Sequence, residues 1–372
     1  MRLLYCTRSD SPHDQRFLEV LARSGHEVYA LRLFTSQEYP DPKGVTNVPW
    51  EGSEGLFRLT KTHHLAGQLK ALLRNLQPDL VHAGPIQDMA FLIAKAGFHP
   101  LLTMSWGFDL MKDADLSPLS RWQTRYTLQH SDWLTMDCQA AADKAVGFGF
   151  PPERICKFPW GVDLAHFSPQ TSIVPGKNWR QEHGWEDKPV FLCLRSWEPN
   201  YGVDILAQAF VQAAQRNPDL RLILLNSGSE SGKITSILEK GGITDKVFLG
   251  GRVPNADLIT FYGAADIYIS PSHVDGSSVS LMEAMACGLP SIVSDIPANL
   301  EWIRQDENGW IYPDGDTGRL SQVILASVET DLRALGRKAR QDATQKADWS
   351  VNSQILLDCY EKIVASTKER VS

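Results

Sequence analysis

Asp275-Gly-Ser-Ser-Val-Ser-Leu-Met-Glu283, continuing through Ala-Met-Ala-Cys-Gly288-Leu-Pro290, is the stretch whose reading decides the fold. Asp266-Ile-Tyr-Ile-Ser270 before it has the apolar run of a buried strand. Val279 to Cys287 reads as a helix stopped by Gly288, and Ser291-Ile-Val-Ser294 as the next strand. The three make a βαβ unit. In its turn, Gly276, Ser277 and Ser278 are small enough to let backbone N–H groups at the helix start approach an anion, and the helix dipole favours negative charge there. A phosphate fits. Two carboxylates, Asp275 and Glu283, flank this turn. A plainer reading of the second stays open, because Ser280-Leu-Met-Glu283 also fits a capping box in which Glu283 bonds a backbone N–H at its own helix start.

Outward from this unit the chain alternates strands and helices in two series. The first runs Leu3 to Tyr5, a helix from about Asp14 to Ser24, Glu27 to Leu31, a helix from about Leu65 to Leu76, Asp79 to His82, and Pro100 to Ser105. The second opens at Val190 to Leu194 and continues through a helix near Asp204 to Arg216, Leu220 to Asn226, a Gly/Ser loop at 227–232 and Val247 to Leu249. Between them, 158–175 is rich in Pro and Gly and reads as a linker without helical period. The segment from Asp348 to Val364 carries apolar residues at helical spacing and predicts an amphipathic helix. Doubly wound sheets bind ligands beyond the carboxyl ends of their strands. That places His13, His82, Trp106 and Asp109 along one crevice of the first half. No G-x-G-x-x-G follows the first strand, which excludes the usual nicotinamide dehydrogenase fingerprint.

The 372 residues exceed one ordinary core and predict two domains. Net charge is −7, made up of −1 over residues 1–170 and −6 over 171–372, so sequence-independent nucleic-acid binding is not expected of the second half. The six cysteines lack metal-type spacing and read as reduced structural residues. No cluster of Asp and His offers an octahedral oxygen site, so no metal is expected. No run is long enough to span a membrane, and the first residues enter a strand pattern directly. A cytoplasmic location follows, with peripheral contact at the inner face of a membrane left open.

The 275–290 stretch resembles the signature of the family 4 glycosyltransferases, retaining enzymes of the GT-B architecture, whose pattern is Glu, seven residues, Glu. The resemblance implies two Rossmann-like doubly wound domains facing a central cleft: residues 1–165 binding the acceptor, with a terminal helix at about 352–372 packing back on it, and residues 166–351 binding a nucleotide sugar. Glu283 would then hold the ribose diol and Asp275, shorter than the usual Glu, the transferred sugar. Trp160-Gly-Val-Asp163 resembles the family's linker motif, with Trp160 in place of Asn. In Leu194-Arg-Ser-Trp-Glu-Pro-Asn-Tyr-Gly202, Arg195 matches a family cation on the donor diphosphate, while Tyr201 stands where a Lys is usual. The pattern Arg-Ser-Trp-Glu-Pro-x-Tyr-Gly with Asp-Gly-x-Ser looks like a branch of that family. Arg252 and Val253, after Gly250-Gly251, are implied as contacts to the nucleobase, and Gly276, Ser278, Val279 and Ser280 as contacts to the diphosphate. Trp106 replaces the His of His-Gly; an indole stacks on a sugar ring but shuttles no proton.

Simpler readings accompany these: Arg195 as a surface cation at a strand end, Asp109 as a helix N-cap, and the two histidines as packed side chains. The function implied is metal-independent transfer of a hexose from a nucleotide-diphosphate sugar, UDP favoured, to an acceptor hydroxyl in polysaccharide or glycan assembly. The donor is a co-substrate and no further cofactor is expected. The acceptor would be a glycan, a lipid-linked glycan or a small molecule. Two other classes stay open, a GT-B 2-epimerase or phosphorylase and a non-catalytic nucleotide-sugar-binding protein.

Overall fold

The structure is a computed structural model and describes residues 1–34, 39–50 and 61–371. The chain divides into two units, Met1–Pro159 with Ser350–Ser372, and Trp160–Trp349. The boundary falls before Trp160 because residues just beyond it bond to the end of the second unit. Val162 N–H donates to Ala347 O at 2.7 Å, and Trp349 N–H to Val162 O at 3.0 Å.

In the first unit seven strands, Arg2–Thr7 (β1), Glu27–Arg32 (β2), Val45–Asn47 (β3), Leu80–Ala83 (β4), Leu101–Met104 (β5), Trp133–Met136 (β6) and Ile155–Lys157 (β7), form a parallel sheet ordered β3-β2-β1-β4-β5-β6-β7. Every residue of β4 and β5 is buried, as parallel strands covered on both faces must be. Ser11 caps the helix Pro12–Arg23 by accepting from Asp14 N–H, with Pro12 in the first turn where its missing donor costs nothing. The long helix Trp349–Val371 buries Leu356, Cys359, Tyr360 and Ile363, and Asn352 Nδ2 donates to Pro159 O at 2.9 Å.

The second unit carries Val190–Cys193 (β8), Arg221–Leu225 (β9), Val247–Gly251 (β10), Ile267–Ser270 (β11), Ser291–Ser294 (β12) and Gly309–Tyr312 (β13), parallel and ordered β10-β9-β8-β11-β12-β13. The strand order reverses between β8 and β11. Connections there leave on opposite faces of the sheet and open a crevice at the carboxyl ends of both strands. Residues 195–202 and 271–280 line it.

One expectation is corrected here. The segment 158–175 is not linker throughout, because a helix spans Pro169–His183 and contains Pro175. Ser168 and Thr171 close a capping box at its start, and Pro169 occupies its first position. Beyond Pro175 the helix is held by backbone packing against the helix Leu258–Ala264. A Cβ on Gly176 would lie 2.0 Å from Gly263 C, and one on Gly263 would lie 1.8 Å from Ser172 O. Gly263→Ala should therefore destabilise the second unit by about 3 kcal/mol, the upper end of overpacking costs. Gly232→Ala, in a helix with nothing within 4 Å of the new methyl, should be neutral or stabilising. Urea unfolding of both variants checks this, and equal midpoints would contradict the close crossing.

Candidate donor site in the second unit

Arg195 follows β8 and is the centre of the site. Its Nη2 lies 2.8 Å from Asp275 Oδ2, both side chains being largely buried at 11% and 16% exposed. Among the described residues Oδ2 makes no aligned hydrogen bond, although the Ser278 hydroxyl lies close enough to favour the carboxylate. Nη1 donates to Ser278 Oγ at 2.8 Å and, less closely, to Ser280 Oγ at 3.4 Å. Ser280 Oγ is in turn 2.7 Å from Tyr268 OH. The Tyr201 ring covers the guanidinium, its centroid 4.3 Å from Cζ. Nε is buried and has no acceptor among the described residues. Burial opposes the charge of Arg195, but Asp275 together with Tyr201, Tyr268 and Cys193 outweighs it, and the guanidinium pKa is raised. Burial raises the Asp275 pKa, against the pull of Arg195. Each charge is therefore tolerable only beside the other.

The helix Val279–Ala286 begins at this cluster. Its N-cap is Ser278, whose Oγ also accepts from Leu281 N–H at 3.4 Å, so one hydroxyl serves both the cap and Arg195. Among the described residues no protein acceptor faces the N–H groups of Val279 and Ser280, the first orphan donors of the helix. Gly276 N–H is occupied by Asp275 Oδ1 at 3.0 Å. The capping-box reading of Glu283 fails, because Ser280 lies inside the helix and the cap is Ser278. Glu283 is 4% exposed. Its Oε2 accepts from Tyr262 OH at 2.7 Å and its Oε1 from Asn255 Nδ2 at 3.1 Å. Burial and the Glu283 charge hold the Tyr262 hydroxyl well above the usual phenol range. Asn255 opens the short turn after β10, two residues beyond Val253, which packs on the core, and the exposed Arg252. The segment implied to hold the base and the carboxylate implied to hold the ribose are thus joined by one amide.

Asn255, Tyr262 and Tyr268 were missed as site residues by sequence reasoning. A signal existed for the tyrosines: a buried phenol needs a partner, and Tyr262 and Tyr268 fall in the apolar runs that frame the motif. Two Asp-x-Asp pairs occur, Asp113-Ala-Asp115 and Asp314-Gly-Asp316, and neither gathers further ligands. Asp115 pairs with Arg121 and Lys144, Asp314 with His273 Nδ1 at 2.6 Å, and Asp316 caps the helix Thr317–Ser327. Among the described residues no group of three or more His, Cys, Asp or Glu is placed to hold a metal ion.

In the first unit His13 and Trp106 stand together beyond β1 and β5, ring centroids 5.9 Å apart. Asp109 is fully buried and already saturated. It accepts from Ser105 Oγ (2.7 Å) and from the N–H groups of Leu110 (2.9 Å), Trp106 (3.0 Å) and Ile86 (3.1 Å). Burial raises its pKa to about 6 against those four bonds. It does not cap Leu110–Lys112, since the short helix Phe108–Met111 has Gly107 at its N-cap; it fastens the 105–110 loop to the turn after β4. His82 is packed into the core. It is 3% exposed, its Nδ1 lies 2.6 Å from Tyr360 OH, and Tyr5 and Phe17 pack on its ring.

The family model described as "Glycosyltransferase Family 4" matches residues 15–166, and "Glycosyl transferases group 1" matches 176–347. The chain is a family 4 glycosyltransferase of the GT-B fold. A GDP-mannose-dependent monoacylated alpha-(1-6)-phosphatidylinositol monomannoside mannosyltransferase of Corynebacterium glutamicum is 26% identical over 82% of this chain and 80% of its own length. A phosphatidyl-myo-inositol mannosyltransferase of Mycobacterium leprae is 30% identical over 48% of each, so the match spans about half of that relative. The solved structure of Anabaena HepE in complex with UDP matches the fold with a TM-score of 0.79 at 18% identity, covering 97% of this chain and all of that one. In this family-4 chain the motif carboxylates, Asp275 and Glu283, therefore sit on either side of a capped helix start, one against a cation and one against two neutral donors.

Burial holds His82 neutral, lowering its pKa to about 3. The sign follows directly. The unfolded chain takes up a proton at about pH 6.5, the folded one only near pH 3, so stability present above 6.5 is lost as the pH falls. Between pH 7 and 5 the wild type should lose about 2 kcal/mol more than His82→Phe. Denaturant titrations at both pH values test this, and parallel losses would contradict a buried neutral imidazole.

Proposed function

We propose that the protein transfers a hexose from a nucleoside-diphosphate sugar to a hydroxyl of a glycan or glycolipid acceptor, with the anomeric configuration retained. The observation that carries this reading is the buried Arg195 at the start of the helix Val279–Ala286, beside two orphan N–H groups. The donor's diphosphate would take Arg195 from Asp275, accept from the N–H groups of Val279 and Ser280, and fill the unmet Nε. Asp275, released, would accept from hydroxyls of the sugar, and Glu283 from the ribose diol. In the transfer the bond from the anomeric carbon to the diphosphate oxygen breaks, the acceptor oxygen bonds that carbon, and its proton passes to the departing phosphate. Charge developing on the leaving group is met by Arg195 and the helix start, preorganised donors in a largely dry pocket. No metal has a role in this scheme.

For the base and sugar, similarity to the C. glutamicum GDP-mannose-dependent enzyme favours GDP-mannose over the UDP-sugar first expected, and makes a phosphoinositol-type glycolipid the first acceptor to try. Base contact through the backbone at 251–253 is compatible with either nucleotide. His13 and Trp106 would lie on the acceptor side. Among the described residues no helix is long and apolar enough to cross a membrane.

Transfer assays with GDP-mannose and UDP-glucose test the reading. Arg195→Ala should lower kcat by roughly 10²-fold, the size of loss seen when a preorganised charge stabiliser is removed. Glu283→Gln should raise donor KM by roughly tenfold with less effect on kcat, since a hydrogen bond to a charged group contributes about 1.5–3 kcal/mol. Turnover surviving both substitutions would overturn the assignment. Excess chelator should leave the rate unchanged; abolition restored by Mg²⁺ or Mn²⁺ would overturn the leaving-group role of Arg195.

A further inference from the structure

Arg195 is held unevenly. Among the described residues its aligned bonds and its ion pair run from the two terminal nitrogens, to Ser278, Ser280 and Asp275, with the Tyr201 hydroxyl also within its electrostatic reach, while Nε is buried without an acceptor. If the Asp275 contact is exchanged for a ligand, two hydroxyls on one nitrogen remain, and these alone fix a planar cation poorly. The flat face of the guanidinium is covered by the Tyr201 ring at 4.3 Å.

The position of that ring is itself determined by the site. Tyr201 ends the short helical turn Pro199–Tyr201, where its N–H donates to Glu198 O at 2.9 Å. Gly202 follows with φ +58°, and a Cβ there would lie 2.2 Å from the carbonyl oxygen of Pro271. Pro271 begins the segment leaving β11 that reaches Asp275 four residues later. One backbone junction therefore sets both the aromatic face and the carboxylate on Arg195. A second cation at position 201 would set two buried positive charges beside the single carboxylate of Asp275. An aromatic face holds the guanidinium and keeps that pair neutral.

We infer that Tyr201 is a positioning residue, whose ring rather than hydroxyl orients Arg195 for the donor diphosphate while the guanidinium changes partner from Asp275 to phosphate. This rests on the reading of the second unit as the donor site. Tyr201 acts through Arg195, so its loss is invisible wherever Arg195 is absent.

The test is calorimetric binding of GDP and of UDP to the full chain, with donor KM and kcat measured alongside. Tyr201→Leu should weaken diphosphate binding roughly tenfold, the order expected for a desolvated cation–π contact, and raise donor KM in parallel. Tyr201→Phe, which keeps the ring, should retain most of the affinity. In an Arg195→Ala background, Tyr201→Leu should cost nothing further, the signature of a residue acting through its neighbour. Should Tyr201→Leu fail to fold, Tyr201→Met supplies the same comparison. The inference is overturned if Tyr201→Phe loses as much as Tyr201→Leu, which would put the hydroxyl on the ligand, or if the loss is the same with and without Arg195. A wild type that binds neither GDP nor UDP overturns the donor-site reading as well. Binding that Arg195→Ala abolishes and Tyr201→Leu leaves intact overturns this inference alone.

Discussion

A guanidinium buried where two strands diverge is the constraint around which the second unit is built. Arg195 leaves β8 and Asp275 follows β11, neighbours in the sheet but far apart in sequence. Their 2.8 Å contact lets both charges be buried, since neither is tolerable there alone. The pair also engages the helix start, because Ser278 is at once the N-cap and an acceptor for Arg195. Fold and site share a hydroxyl here, so loosening the cap would also loosen the cation.

The second carboxylate depends on packing rather than charge. Glu283 is held by Tyr262, and Tyr262 rides on the helix Leu258–Ala264, pressed against Pro169–His183 through Gly263 and Gly176. That crossing sets where the phenol sits and hence which way Glu283 faces. Asn255 ties the same carboxylate to the turn after β10. Three elements thus converge on one buried side chain.

Much of this was legible in the sequence where the signal is local. The βαβ unit at 266–294 reads directly, because a strand buried on both faces gives an unbroken apolar run and Gly288 marks the helix end. The pattern at 275–283 with Arg195 identifies the family without reference to three dimensions. Contacts between distant segments were not legible: nothing in the spacing of Asn255, Tyr262 and Glu283 says that they meet. Strands of three residues, such as Val45–Asn47 and Ile155–Lys157, have no alternation to read. Pro175 argued for a linker, and the capping box with the glycine-on-glycine crossing outweighed it. His82 and Asp109 were assigned to the crevice by their positions at and beyond the ends of the predicted strands. Whether such a residue faces the crevice or the packing beneath it is set by partners, Tyr360 for one and four donors for the other, far along the chain.

The most direct measurement is a crystal structure of the full chain with a bound nucleoside-diphosphate sugar. The account predicts a phosphate oxygen within about 3.2 Å of the Arg195 guanidinium and Asp275 turned from the cation to a sugar hydroxyl. A ligand bound elsewhere, with the Arg195–Asp275 contact still at 2.8 Å, would contradict it.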